Sequence, residues 1–233
     1  MNVIEYEMID LLRKLKDEFG VFEIKAEYEN EGSRPVELMR LKDIVGKVNL
    51  PIILKIGGVE AVTDIYEALS LGAKGIIAPM AETAFAASKF LDAIDTFVPE
   101  DNQGDIEFAI NIETITAYNN IDEILSLDKI DLLSSITVGR VDFTASLGAD
   151  RSFANSDEML KYCTEIFQKT KDKGLKTALG GAISADSIRF VESLISKNLL
   201  DKYETRKLVY NKSAIDNISE GLSEGIKFEL LWL

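Results

Sequence analysis

Histidine is absent from this chain, and cysteine occurs once, at Cys163. Without histidine there is no Ser-His-Asp or Cys-His triad, no imidazole metal ligand, and none of the commonest general base. With one cysteine there is no intrachain disulfide. Cys163 falls in the helical-looking stretch Asp157–Lys173, where a buried structural thiol fits better than a nucleophile. Long apolar runs are also missing, so no segment reaches the length of a membrane span. Met1–Gly20 reads as an amphipathic helix with both charge signs and lacks the apolar core and cleavage site of a signal peptide. There is no low-complexity tract, no internal repeat, and no Walker or dinucleotide fingerprint after a strand-like run. Basic charge is scarce: 26 Lys and Arg against 40 Asp and Glu give a net charge of −14. Nucleic-acid phosphates would be repelled, whereas a small anionic substrate stays admissible if a bound cation inverts the sign locally. A cytoplasmic protein without membrane or nucleic-acid partners is expected.

What the sequence does have is hydrophobic material, 46% of its 233 residues, in a regular alternation of short β-rich runs and longer helical patterns. Strands are expected near Val21–Glu27, Pro51–Gly57, Gly75–Met80, Glu107–Glu113, Ser135–Val141, Leu175–Gly181, Lys202–Tyr210 and Lys227–Trp232. Helices fill the gaps near Arg34–Lys47, Val59–Leu71, Glu82–Ile94, Ser156–Lys173, Ala185–Lys197 and Ser213–Glu224. Repeated βα units imply parallel strands with both faces covered. No composition break divides the chain, so residues 1–233 are assigned to one domain.

Side-chain parity separates a barrel from an open sheet. In Glu107–Glu113, Phe108, Ile110 and Ile112 face one way, and Glu107, Ala109, Asn111 and Glu113 the other. Ile52, Leu54 and Ile56 oppose Ile53, Lys55 and Gly57; Phe22, Ile24 and Ala26 oppose Glu23, Lys25 and Glu27. An open sheet between two helical layers would make both faces apolar. One charged face instead predicts a (β/α)₈ TIM barrel, with an N-terminal helix, whose interior becomes a polar site toward the C-terminal ends of the strands. The run Lys227–Trp232 is expected to close the barrel beside the first strand.

The residues at that mouth able to do chemistry are Glu27, Lys55, Glu113, Arg140, Asp142, Glu204 and Arg206. Carboxylates without histidine suit a hard cation, Mg²⁺ or Mn²⁺, which takes oxygen ligands and keeps several waters. Such an ion polarises a carbonyl and stabilises an enolate. Lys55, Arg140 or Arg206 would hold a substrate carboxylate or phosphate. The competing reading is a set of inward ion pairs that only hold the barrel together. A Schiff base on Lys55 or Lys25 is disfavoured, because neighbouring acids keep a lysine protonated. Parity and spacing do not choose among these residues.

Two segments do resemble a known family. Ile110-Asn111-Ile112-Glu113-Thr114, followed by Asn119-Asn120-Ile121-Asp122-Glu123-Ile124, is similar to the metal-site strand of the HpcH/HpaI aldolase superfamily, the citrate lyase β-subunit-like proteins. Val138-Gly139-Arg140-Val141-Asp142-Phe143-Thr144-Ala145-Ser146-Leu147-Gly148 resembles that family's later acidic segment. Pro51–Lys55 and Gly75–Met80 look like two further strands, and the resemblance runs over roughly residues 21–210. It implies a (β/α)₈ barrel, often a homo-oligomer, that uses a divalent cation to make or cleave a carbon–carbon bond in 2-oxo acids or acyl-CoA thioesters. It also implies Glu113 and Asp142 as the metal ligands.

The departures are specific. In the closest aldolase branch a histidine follows the acid that ends the strand matching Val21–Glu27; here Glu27 is followed by Tyr28, and either becomes the candidate acid or base. Lys55 stands where the family offers an arginine. The family's first strand has no counterpart before Val21. The expectation is a Mg²⁺- or Mn²⁺-dependent lyase or aldolase for a small carboxylated substrate. The alternatives are a metal-dependent isomerase or mutase of a sugar acid, and a non-catalytic carboxylate-binding barrel.

Overall fold

In the computed structural model, which describes residues 1–233, eight strands form one closed barrel in sequential order. They are β1 (Val21–Glu27), β2 (Ile52–Lys55), β3 (Gly75–Ala78), β4 (Glu107–Ile112), β5 (Ser135–Gly139), β6 (Lys176–Gly180), β7 (Lys202–Glu204) and β8 (Leu208–Asn211). The helices are α1 (Val3–Phe19), α2 (Pro35–Gly46), α3 (Val62–Leu71), α4 (Ala84–Phe97), α5 (Glu100–Gln103), α6 (Ile115–Asn119), α7 (Ile121–Leu125), α8 (Arg140–Ser146), α9 (Asp157–Asp172), α10 (Ile188–Ser196) and α11 (Ile218–Trp232). None is long and apolar enough to cross a membrane.

Parity holds as expected except at Phe22, expected to face outward with Ile24 and Ala26, which joins the inward set because the pairing of β1 with β8 shifts register between Val21 and Glu23. Ile24, Ala26, Ile52, Leu54, Ile76, Phe108, Ile110, Ile136 and Val138 face outward into one apolar layer of 58 buried residues between strands and helices. The inward set is different. Ile53, Ile77, Ala109 and Val209 form a small apolar plug with Phe22. Around the plug lie buried charges: Lys202 bridges Glu23 and Glu107 at 3.0 Å each, and Lys25 meets Glu204 at 2.7 Å. A buried ion pair contributes little net stability, but removing one partner strands the other charge.

Closure of the barrel departs from expectation. Lys227–Trp232 is not a strand; it is the last part of α11, whose buried face is Ile218, Gly221, Leu222, Gly225 and Phe228 at helical spacing. The strand that closes the barrel is β8, which pairs antiparallel with both β7 and β1. The expected single strand Lys202–Tyr210 is therefore a hairpin, turning at Thr205-Arg206-Lys207.

Both misreadings have a physical cause. The turn has none of the Gly, Asn, Asp or Pro that marks a hairpin. Thr205 and Leu208 close it locally, the Thr205 amide donating to the Leu208 carbonyl at 2.9 Å, and tertiary structure adds Glu229, whose Oε1 accepts from Thr205 Oγ1 at 2.6 Å and from the Lys207 amide at 2.9 Å. In α11, glycine weakens the helical signal. Gly225 is there because a Cβ would collide with the Tyr210 hydroxyl and Leu208, so the helix can lie directly on β8.

Candidate active site at the barrel mouth

The C-terminal ends of the strands open into a cavity of about 590 Å³, a size typical of small-molecule sites. Glu27, Lys55, Glu113, Asp142, Glu204 and Arg206 all line it. A groove of about 730 Å³ runs along α9 on the outside, but apart from Leu160 only polar side chains line it, and no site residue expected from the sequence is among them.

Glu113 follows β4 by one residue and is 1% exposed. Its Oε1 accepts from the Met80 amide at 3.0 Å, and its Oε2 accepts from Asn111 Nδ2 at 3.1 Å. Lys55 Nζ stands 3.6 Å from the same Oε2 and 2.6 Å from Glu29. Burial pushes the Glu113 carboxyl above the usual range; Lys55 and the two donors oppose this, and the nearby Asp142 adds to it. The seat exists because residue 139 is glycine: a Cβ there would lie 2.5 Å from Glu113 Oε2. Asp142 is not on a strand end, since β5 stops at Gly139 and α8 begins at Arg140. It is half-buried in the first turn of α8.

These two carboxylates fit a hard cation. They are oxygen donors without nitrogen or sulfur, as Mg²⁺ and Mn²⁺ prefer. Beside them, buried Asn111 Oδ1 has no hydrogen-bond partner. No third acidic side chain closes the site into a cage. The pair leaves coordination positions open to water and substrate, as a catalytic site needs.

Glu27 ends β1 and is 8% exposed; its backbone carbonyl accepts from the Ser33 amide at 3.4 Å, while its carboxylate makes no hydrogen bond to the protein. Burial raises its pKa, with Lys25 and Lys55 pulling the other way and Glu31 and Glu29 adding to the rise. For Lys55 burial alone would lower the pKa, but Glu113, Glu29 and Glu27 outweigh it and the net direction is upward. Lys25 behaves the same way through Glu204 and Glu27. Both lysines are thus held as ammonium ions, which removes the free amine that a Schiff base needs.

Two residues expected at the site are elsewhere. Tyr28 has the opposite parity from Glu27 and packs against the outer apolar layer. Burial, with Glu67 and Asp64, pushes its hydroxyl up to about 12. Arg140 is completely buried in the wall. Its guanidinium donates to the carbonyls of Gly180 (3.3 Å), Gly181 (2.7 Å) and Ala154 (2.9 Å), to Asn155 Oδ1 (2.7 Å) and to Ser187 Oγ (3.3 Å), and it stacks on Phe190. No donor is left for a substrate. Arg206 is at the rim, in the hairpin turn, paired with Glu31 at 3.0 Å.

The sequence reading missed Arg151 and Thr137, which also line the cavity. Thr137 follows from β5 parity. Arg151 is exposed and opens the 3-10 turn Arg151–Asn155 that follows α8, where no periodicity points at it.

A family model described as HpcH/HpaI aldolase/citrate lyase matches residues 41–187, a stretch that holds Lys55, Glu113 and Asp142 but neither Glu27 nor the β7–β8 hairpin. No curated protein matches the chain in sequence. Among solved structures, an HpcH/HpaI aldolase from Desulfitobacterium hafniense superposes with a TM-score of 0.66 at 13% identity, covering 95% of this chain and 88% of that one. A citrate lyase from Burkholderia xenovorans gives 0.65 at 12% identity, over 93% and 72% of the two chains. A citrate synthase variant gives 0.61 at 17% identity, over 94% and 98%. At these identities the superpositions speak for the fold.

Proposed function

Because this chain belongs to the HpcH/HpaI aldolase/citrate lyase family, whose members are lyase-type enzymes, we propose that it is a divalent-metal-dependent carbon–carbon lyase or aldolase acting on a 2-oxo acid or related carboxylated compound. The observation that carries this reading is the Glu113–Asp142 carboxylate pair, left open on one side, in a cavity that Glu27 also lines. When bound at that pair, Mg²⁺ or Mn²⁺ supplies a Lewis acid for negative charge developing on the substrate oxygens.

The chain's own residues do the rest. Asn111 and the Met80 amide hold the Glu113 carboxylate in place. Lys55 sits between Glu29 and Glu113 with its ammonium facing the cavity, placed to orient the anionic end of a substrate. Glu27 takes the role that histidine cannot fill: its carboxylate removes the hydroxyl proton of a 4-hydroxy-2-oxo acid as the carbon–carbon bond breaks. It then returns that proton to the enolate carbon of the released 2-oxo acid. A raised pKa makes the ionised Glu27 a stronger base than an exposed carboxylate. Tyr28, on the outer side of β1, takes no part.

The test is exchange of the pyruvate methyl protons into deuterated water with Mg²⁺ present, followed by NMR. The wild type exchanges them, Tyr28→Phe exchanges them as fast, and Glu27→Gln slows exchange by about 10²–10⁴-fold. Unaltered exchange in Glu27→Gln removes Glu27 from the mechanism. Release of pyruvate from a 4-hydroxy-2-oxo acid separates a lyase from an isomerase.

A further inference from the structure

The ion pairs inside the barrel are built in different ways. Lys202, the deeper lysine of β7, meets two carboxylates, Glu23 and Glu107, at 3.0 Å each and does not line the mouth cavity. Lys25 meets one, Glu204 Oε1 at 2.7 Å, and both partners line the cavity. An ammonium ion has three hydrogens to donate, yet this is the only hydrogen bond that Lys25 Nζ makes to the protein, although the side chain is only 11% exposed. Glu204 Oε2 is buried and has no partner. A pair kept only to hold strands together closes its charges on each other, as Lys202 does. The Lys25–Glu204 pair instead presents unused donors and an unused acceptor to a cavity.

The pair is fixed in place. A Cβ at Gly180, the last residue of β6, would lie 2.9 Å from Glu204 Oε1, so glycine there leaves space for the carboxylate that grips Lys25. Lys25 and Glu27 are two residues apart on β1 and share its inner face, Lys25 one step deeper. The other cations of the cavity are set elsewhere. Lys55 spans Glu29 and Glu113, Arg206 is paired with Glu31 at the rim, and Arg151 is exposed. Lys25 is thus the buried cation next to Glu27 that keeps free hydrogens.

The proposed cleavage has a need for such a group. As Glu27 takes the hydroxyl proton of a 4-hydroxy-2-oxo acid, the electron pair of the O–H bond stays on oxygen and becomes the second bond of the aldehyde carbonyl. The electrons of the breaking carbon–carbon bond pass to the enolate. Negative charge grows on the oxygen before that bond is broken, and Lys55 is engaged at the acid end of the substrate. We propose that Lys25 is a catalytic residue that donates hydrogen bonds to the oxygen deprotonated by Glu27, with Glu204 as the positioning residue that holds its ammonium there. This rests on the proposed lyase reaction and adds the group that stabilises its alkoxide. No proton leaves Lys25; in the reverse direction it polarises the aldehyde carbonyl while Glu27 returns the proton.

The experiment compares two rates with Mg²⁺ present, each on its pH-independent plateau. One is exchange of the pyruvate methyl protons into deuterated water, which involves no alkoxide. The other is cleavage of the aldols of pyruvate with acetaldehyde, glycolaldehyde or glyoxylate. Lys25→Met lowers kcat for cleavage by about 10²–10³-fold, leaves KM near the wild-type value because the charge exists only in the transition state, and slows exchange far less. Lys25→Met/Glu204→Met, which strands no buried charge, gives the same split even if the single variant fails to fold. Glu204→Gln keeps an acceptor for Lys25 and cleaves within about 10-fold of wild type, whereas Glu204→Leu falls with Lys25→Met. Cleavage and exchange falling together, or cleavage unaltered without Lys25, overturns the assignment. Equal cleavage by Glu204→Leu and Glu204→Gln removes Glu204 from its positioning role. A wild type that exchanges the methyl protons but cleaves none of the three aldols overturns this proposal and leaves the enolate reading standing; if it does neither, both fall.

Discussion

Replacing Gly139 by alanine tests how Glu113 is held. The backbone there, φ −93° and ψ 94°, suits any residue, so the substitution adds no backbone strain. The new Cβ would lie 2.5 Å from Glu113 Oε2 and 3.0 Å from Glu113 Cβ. Comfortable contact needs about 3.5 Å, so the carboxylate must retreat by about 1 Å. The hydrogen bonds from Met80 and Asn111, now 3.0 and 3.1 Å, then pass the limit of useful geometry. Losing two hydrogen bonds to a charged acceptor, partly replaced by water from the cavity, costs on the order of 2–4 kcal/mol. Misplacing a ligand's supporting contacts lowers metal affinity by about 10–100-fold. Calorimetric titration with Mn²⁺ and thermal unfolding read the two effects. Gly104→Ala is the control, since nothing lies within 4 Å of that Cβ. Wild-type Mn²⁺ affinity in Gly139→Ala would refute the reasoning.

Other outcomes follow from the same geometry. Arg140→Met leaves the carbonyls of Gly180, Gly181 and Ala154 without donors, at about 1–3 kcal/mol each before relaxation, and lowers the melting temperature even without metal or substrate. For Asp201, burial alone would raise the pKa, but Lys171, the Thr177 amide and Lys212 outweigh it and the net direction is downward. The stability this provides is full above the ordinary Asp value of 3.8 and is lost as pH falls through the depressed folded value. The melting-temperature advantage of the wild type over Asp201→Asn should therefore hold from neutral pH and shrink in acid below about pH 4; an advantage independent of pH contradicts it. Since burial raises the Glu27 pKa, turnover should increase with pH through a value above the ordinary 4.5, and that limb should vanish in Glu27→Gln.

Much of the barrel was legible because its strands are two-sided. Alternation in β1, β2 and β4 separated the helix-facing residues from Glu23, Lys25, Glu27, Lys55, Asn111 and Glu113, and the structure keeps that division except at Phe22, which a register shift at the start of β1 turns inward. Closure was not legible. The β7–β8 turn lacks the usual turn residues and is braced by Glu229 on a distant helix, and α11 uses glycine where a packed helix usually shows larger apolar residues. At the site, parity alone placed Glu27, Lys55 and Glu113. Resemblance, not spacing, paired Glu113 with Asp142, which reaches the cavity from a helical turn that strand parity does not cover. Arg140 was misjudged for a related reason. It follows β5 directly and looked like a residue of the mouth, but the chain turns into α8 there and the side chain is directed into the wall. Arg151 had no local signal, because it opens a short 3-10 turn too brief to show a periodicity.

The central claim is that Glu113 and Asp142 together bind a divalent cation. Calorimetric titration of Mn²⁺ into the wild type and into Glu113→Gln/Asp142→Asn, with thermal unfolding confirming that both are folded, tests it most directly. The account predicts one equivalent of Mn²⁺ bound by the wild type and none by the folded double variant. Equal binding by both proteins would contradict it.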